Sequence, residues 1–325
     1  MNPKNKLFIG GFCIVLIFLY LLSSTNLILH DKKTEILPIS VIVEETSDED
    51  YEKLRKGMDR AAEEFHVDLN FITLYQSHDQ EQQLQLISRE MSDGARAVIL
   101  SPAKPEEAGI GLEEMVLNSP LVILGHILPA SQVMAGVSID YQEAGRLLGK
   151  AARENPKELP VYLLTEGLDY GYAREIYDGI RHELAADAKA YNTILCTINS
   201  PEDCRSLIEN TVYPQKQESV LIALDKNSLE MAAKVIEDST VYQENIRALY
   251  GIGDTTRLLN FLDKGIIRGL VAHNRFDEGY LSIEKAVAVI TGGYSEREEL
   301  IMESYYITRE ELRNPIYEKM LYPID

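Results

Sequence analysis

The stretch ILPISVIVEETSDEDYEKLRKGMDRAAEEF, Ile36–Phe65, holds the pattern on which the rest of the chain is built. Ile36–Val43 is a continuous apolar, β-branched run, the composition of a parallel strand buried on both faces. Ser47–Asp50 has the spacing of a capping box, and Asp48, Glu49 and Asp50 place negative charge at a helix N-terminus. Tyr51, Leu54, Met58, Ala61, Ala62 and Phe65 then recur at helical spacing and predict one apolar face. The turn between strand and helix is Glu44-Glu45-Thr46, not a glycine-rich loop, which argues against dinucleotide binding.

The alternation repeats outward from this unit. Strands are predicted at 69–74, 97–100, 121–124 and 135–139, with helices at 80–91 and from about 106 to 117. A second series starts near Leu159, with strands at 161–165, 193–197, 220–224, 248–252, 270–272 and 304–307. Its helices are expected at about 172–184, from 202, at 228–236, 256–263 and 278–290. Two consecutive βα series imply two doubly wound parallel-sheet α/β lobes with right-handed crossovers. In such sheets ligands sit beyond the carboxyl ends of the strands, so two facing lobes share one cleft and close about a hinge. The expected division is residues 36–139 with 274–297 in a first lobe and 140–273 with 298–312 in a second, followed by a tail at 313–325.

The chain has 325 residues, enough for two cores, and a formal net charge of −20 that disfavours nucleic acid as a partner. At the N-terminus, Lys4 and Lys6 precede a charge-free apolar run, Leu7–Leu22. The first reading of residues 1–30 is an uncleaved signal anchor, with the rest of the chain facing the extracytoplasmic side. The second is a cleaved signal, with Ser23-Ser24-Thr25 as a poor cleavage site. A short polar linker, Asp31–Glu35, follows. Cys13 lies in the apolar run; Cys196 and Cys204 are open to either a disulfide or two free thiols. No P-loop, GxSxG elbow or HExxH spacing occurs, so no enzyme, cofactor or metal site is expected.

Several segments stand out in order and spacing: Leu54-Arg55-Lys56-Gly57-Met58, Val98-Ile99-Leu100-Ser101-Pro102, and Ser138-Ile139-Asp140-Tyr141-Gln142-Glu143-Ala144-Gly145. Ala173-Arg174-Glu175 leading to Gly179, Gly251-Ile252-Gly253-Asp254-Thr255, and Val271-Ala272-His273-Asn274 leading to Gly279-Tyr280 complete the set. Together they resemble the type I periplasmic-binding-protein family, the sugar-binding proteins of import systems and the ligand domains of lactose-repressor-type regulators. The apolar segment stands where the repressors carry a DNA-binding domain, so a regulator is not expected.

The resemblance implies a ring of polar groups around a sugar. Asp140 matches the family's acid at the hinge; its other reading is a helix cap. Tyr51 falls where an aromatic stacks on the sugar, or else belongs to the core. The family's Asp-Arg pair after the fourth strand falls on Gly125 and His126, and its cleft arginine on Ile176, with Arg174 nearby. Its asparagine, acid and glutamine at the later strand ends fall on Leu224, Gly253 and His273, with Asp225, Asp254 and Asn274 adjacent. Ser101 and Tyr172, the latter in a loop with Tyr170 and Gly171, complete the candidates. Losing a bidentate arginine is not neutral for a ligand that used it, so the expected ligand is a sugar or another small polar molecule. The partner expected is an ABC permease or a histidine-kinase sensor domain; the alternative is a ligand-independent interaction protein.

Overall fold

The computed structural model describes residues 3–24, 36–47, 51–186, 191–212, 214, 217–293 and 296–323. The chain divides into two units, Met1–Ile36 and Leu37–Asp325. In the first, Pro3–Ser24 forms helix α1, with exposed side chains from Gly11 to Leu21. Among the described residues no helix is long and apolar enough to cross a membrane, so the expected membrane span is not supported. The charge-free run is shorter than the roughly 20 residues a span needs. The linker at 31–35, and Asp48, Glu49 and Asp50 of the expected capping box, lie outside the described residues.

The second unit contains two six-stranded sheets. In the first, β1 (Leu37–Ile42), β2 (Val67–Ile72), β3 (Ala97–Leu100), β4 (Leu121–Leu124) and β5 (Val133–Ile139) are joined through α2 (Glu52–Phe65), α3 (Gln80–Ser92) and α4 (Pro105–Glu114). The chain then passes through α5 (Tyr141–Arg153) to β6 (Val161–Thr165), α6 (Ala173–Ala185), β7 (Thr193–Thr197) and α7 (Pro201–Leu207). It continues with β8 (Ser219–Ala223), α8 (Lys226–Glu237), α9 (Thr240–Asn245), β9 (Ile246–Ile252), α10 (Thr256–Lys264) and β10 (Gly269–His273). Next come α11 (Arg275–Ile290), β11 (Glu298–Met302), β12 (Ser304–Thr308) and α12 (Pro315–Leu321). The sheet orders are β11-β5-β4-β3-β1-β2 and β12-β10-β9-β8-β6-β7, so the two lobes share one winding pattern. Among the described residues every strand pairing is parallel except β10 with β12.

Burial on both sheet faces explains the continuous apolar strands. In β6, Val161 and Leu163 face a core shared with α5 and α6, while Tyr162 and Leu164 face one shared with α8 and α10. The first sheet is likewise covered by α3 and α4 on one face and by α2 and α11 on the other. Thus α5 follows the first sheet but packs on the second lobe, and α11 does the reverse. Both helix pairs meet through glycine. A Cβ on Gly57 would sit 1.9 Å from the Phe276 carbonyl oxygen, and one on Gly279 would sit 2.0 Å from that of Leu54. On the other pair, Gly145 and Gly179 meet the carbonyl oxygens of Ile176 and Gln142 at 2.2 and 2.1 Å. Four glycines of the family-like segments therefore mark two backbone-to-backbone helix crossings.

Two stretches differ from the sequence-based division. Glu298–Met302, allotted to the second lobe, pairs in parallel with β5 in the first sheet, so the last crossover falls after Met302. Its sequence lacks an apolar run because it is an edge strand of alternating partial exposure. The expected tail contains α12, whose Met320 and Leu321 enter the second lobe's core. Cys196 and Cys204 are free thiols; Cys204 is buried in that core, and burial pushes its thiol up to about 12.

Candidate functional site

Three crossovers, at 139–141, 273–275 and 302–304, connect the lobes. The carboxyl ends of β1, β3, β4, β6, β8, β9 and β10 converge on a cavity of about 200 Å³. This is below the roughly 300–1,000 Å³ of pockets for drug-sized ligands, so an occupant must be small. A larger open groove of about 680 Å³ lies between α2 and α10, but its charges pair internally, as in Arg257–Glu230 at 2.8 Å and Lys56–Glu52 at 3.4 Å. The cavity between the lobes is the candidate site.

Its far end, beyond β1, is densely charged. Glu44 and Glu45 come from the first lobe, Glu166 and Asp225 from the second. The lobes are bound together here. His78 donates from Nε2 to Glu166 at 3.1 Å, and Asn227 donates to Glu45 at 2.9 Å and to Glu166 at 3.0 Å. Lys53 donates to both the carbonyl and the carboxylate of Asp254, the latter at 3.1 Å. The Gly171 amide donates to the Ala103 carbonyl at 2.8 Å, a backbone bond across the cleft.

Protonation follows from this crowding. Burial, reinforced by Glu45, pushes the Glu44 carboxyl up to about 7, against the opposing charges of His78, Lys226 and Arg275. Burial opposes a charge on His78, but the Glu166 hydrogen bond and the charges of Glu44 and Glu45 outweigh it and raise the imidazole to about 9. Burial would likewise raise Glu166, yet its bonds to His78 and Asn227 hold it below the usual carboxylate range. Glu278 is 3% exposed and accepts from Arg275 at 2.7 Å and His273 at 2.9 Å; burial alone would raise its carboxyl, but the Arg275 charge and these hydrogen bonds hold it below the usual carboxylate range.

Of the residues singled out from sequence, Tyr51, Ser101, Tyr172, Asp225, Asp254 and His273 line the cavity. Tyr51 is buried, with Lys226 and Arg275 over its ring at 5.7 and 5.9 Å. Asp225 both lines the cavity and caps α8, accepting from Ser228 N–H at 2.7 Å and Glu166 N–H at 3.0 Å. The other four lie elsewhere. Asp140 is exposed and caps α5, accepting from Glu143 N–H at 2.7 Å. Asn274 caps α11 in the same way. Arg174 is exposed on α6. His126 stands outside the lining, between Glu175 of α6 at 3.2 Å and Glu299 of β11, which together lift it to about 9 against the opposing effect of burial.

Glu44, Glu45, His78, Glu166, Asn227 and Arg275 were not singled out. For the two glutamates a signal existed, since they directly follow the first strand. Among the described residues no group of His, Cys, Asp and Glu is arranged to hold a metal ion.

Fold and cavity together define a two-lobed α/β protein whose facing loops line one cavity of mixed polar, charged and aromatic side chains. Residues 39–293, well over half of the chain, match the family described as periplasmic binding protein domain, and the chain belongs to that family. No curated protein sequence matches it. Among solved structures, an ABC transporter solute-binding protein from Burkholderia graminis in complex with D-arabinose is 16% identical, with a TM-score of 0.76 over 87% of this chain and 99% of its own. A protein from Bacillus halodurans with bound myo-inositol is also 16% identical, with a TM-score of 0.72 over 86% and 97%. The glucose-galactose binding protein GanP from Geobacillus stearothermophilus is 19% identical, with a TM-score of 0.73 over 86% and 99%. At these identities the likeness is one of fold.

Proposed function

We propose that this chain is an extracytoplasmic solute-binding protein, not an enzyme, that closes its lobes over one small polar ligand, with a sugar favoured. The cavity between the lobes carries the reading, because its polar groups come from both sides and only closure assembles them. A polyol would suit acceptors such as Glu44 and Glu45 and donors such as Lys226 and Arg275, provided each buried group finds a partner. The solved structures that hold D-arabinose and myo-inositol support the same ligand class. An ABC permease is the favoured partner and a sensor kinase the second. The apolar N-terminal segment would route the chain out of the cytoplasm and, if retained, tether it there; fractionation of cells expressing the full chain separates retention from release.

Calorimetric titration of the full chain against pentoses, hexoses and inositols tests the binding role. Saturable heat with at least one sugar is expected; no heat and no melting shift with any of them sinks the sugar reading. One observation favours the ligand-independent alternative: the cleft is already bridged by the protein's own side chains, through His78–Glu166, Asn227–Glu45 and Lys53–Asp254. A membrane partner retained in pull-downs after Glu166→Ala and Arg275→Ala would support it.

A further inference from the structure

The end of the cleft beside the crossovers at β5 and β11 is occupied by the protein itself. Gly125, just past β4 in the first lobe, has φ +133°, a conformation that L side chains rarely adopt. A Cβ there would lie 1.8 Å from the Tyr172 hydroxyl oxygen, which belongs to the second lobe. That hydroxyl accepts a hydrogen bond from His126 N–H at 3.0 Å. The Tyr172 ring stacks on Tyr141 with centroids 4.1 Å apart and planes 12° apart. The His126 imidazole meets both rings edge-on at 5.4 Å. Tyr172 thus crosses from one lobe into a notch that exists because residue 125 has no side chain, and its stack with Tyr141 walls that end of the cavity.

We propose that Tyr172, seated in the Gly125 notch, is a specificity plug that confines the ligand to the charged end of the cleft near Glu44, Glu166 and Arg275. The geometry is matched on every side: a left-handed glycine clears the hydroxyl, a backbone amide fixes it, and a second tyrosine holds the ring. Two partly buried, stacked aromatic rings fill volume that a larger ligand would need, and a pocket of fixed size rejects ligands by the atoms that no longer fit. Selection of ligand size rests on the binding role proposed above; the notch itself does not.

The test uses the full chain and the variants Gly125→Ala, Tyr172→Ala, the double variant and Tyr172→Phe. Melting without ligand comes first. Gly125→Ala is expected to lower the midpoint, and the same change is expected to lower it much less in the Tyr172→Ala background, since the colliding hydroxyl is gone. Strictly additive shifts overturn the notch. Titration with sugars graded from pentose to disaccharide comes second. Tyr172→Ala is expected to shift preference toward the larger sugars by about tenfold or more, while Tyr172→Phe, which keeps the ring, retains the wild-type ranking. An unchanged ranking in Tyr172→Ala overturns the plug while leaving the binding role intact. Binding by none of the proteins, with the melting coupling present, overturns the binding role and the selectivity with it.

Discussion

The helix crossings, each inside one lobe, and the cleft, between the lobes, hold the molecule together by opposite means. At the α2–α11 and α5–α6 crossings, backbone meets backbone through glycines, with no side chain between them. In the cleft, the lobes meet through long charged side chains, such as Lys53 on Asp254 and His78 on Glu166. The crossings have one geometry and tolerate no added atom. The cleft pairs can part and rejoin without disturbing either core, which is what closure about a ligand demands. Rigid packing within the lobes and polar, reversible contact between them form one division of labour.

The sharpest way to break the comparison is to make the cleft behave like a core. Glu278→Ala leaves Arg275 and His273 without the buried carboxylate they share, and a loss of about 3–5 kcal/mol is expected in urea unfolding. A loss under 1 kcal/mol would mean that the triad is not structurally required. Next comes Gly279→Ala, whose methyl meets the Leu54 carbonyl oxygen at 2.0 Å; about 1–3 kcal/mol or more is expected, with sugar affinity of the folded protein unchanged. His78→Gln should do the converse. It is expected to leave the unfolding midpoint near wild type and to weaken ligand binding by about tenfold, because its bridge to Glu166 ties one lobe to the other and lies outside both cores.

The smallest effect is on pH dependence. His78 and His126 both bridge the lobes to carboxylates and both rise to about 9 in the closed form. A group raised on closure contributes fully below its ordinary value near 6.5 and loses that contribution as pH rises through about 9. Glu44, raised to about 7, acts in the same direction at lower pH. Ligand affinity is therefore expected to fall between pH 7 and 9.5, modestly because His126 is partly exposed and solvent screens it. The double variant His78→Gln, His126→Gln should flatten that slope; an undiminished slope would assign it to other groups.

The same division decided what the sequence revealed. Strands buried on both faces, such as Leu121–Leu124, read as apolar runs, and Gly57, Gly145, Gly179 and Gly279 stood out because close packing forbids anything else there. Glu298–Met302 was not legible as first-sheet structure, since an edge strand carries glutamates as readily as a loop does. In the cleft, position after a strand end was informative for Asp225, Asp254 and His273. Residue type was not. Asp140 and Asn274 are the kinds of side chain that bind sugars, and also the kinds that cap helices, and capping is what they do here. Pairing across the cleft was beyond local reading, as Asn227 and Glu45 lie 182 residues apart.

The central claim is that the lobes close on a small polar ligand, and one amide reports on closure directly. The Gly171 N–H bonds to the Ala103 carbonyl across the cleft and has that partner only when the lobes meet. Hydrogen exchange at Gly171, in the full chain with and without saturating D-arabinose, D-fucose or myo-inositol, is therefore the most direct measurement. Protection of Gly171 that rises at least tenfold with one of these ligands, while amides of α2 and α6 stay unchanged, is the expected result. Exchange at Gly171 that is the same with every ligand as without would contradict closure on a sugar.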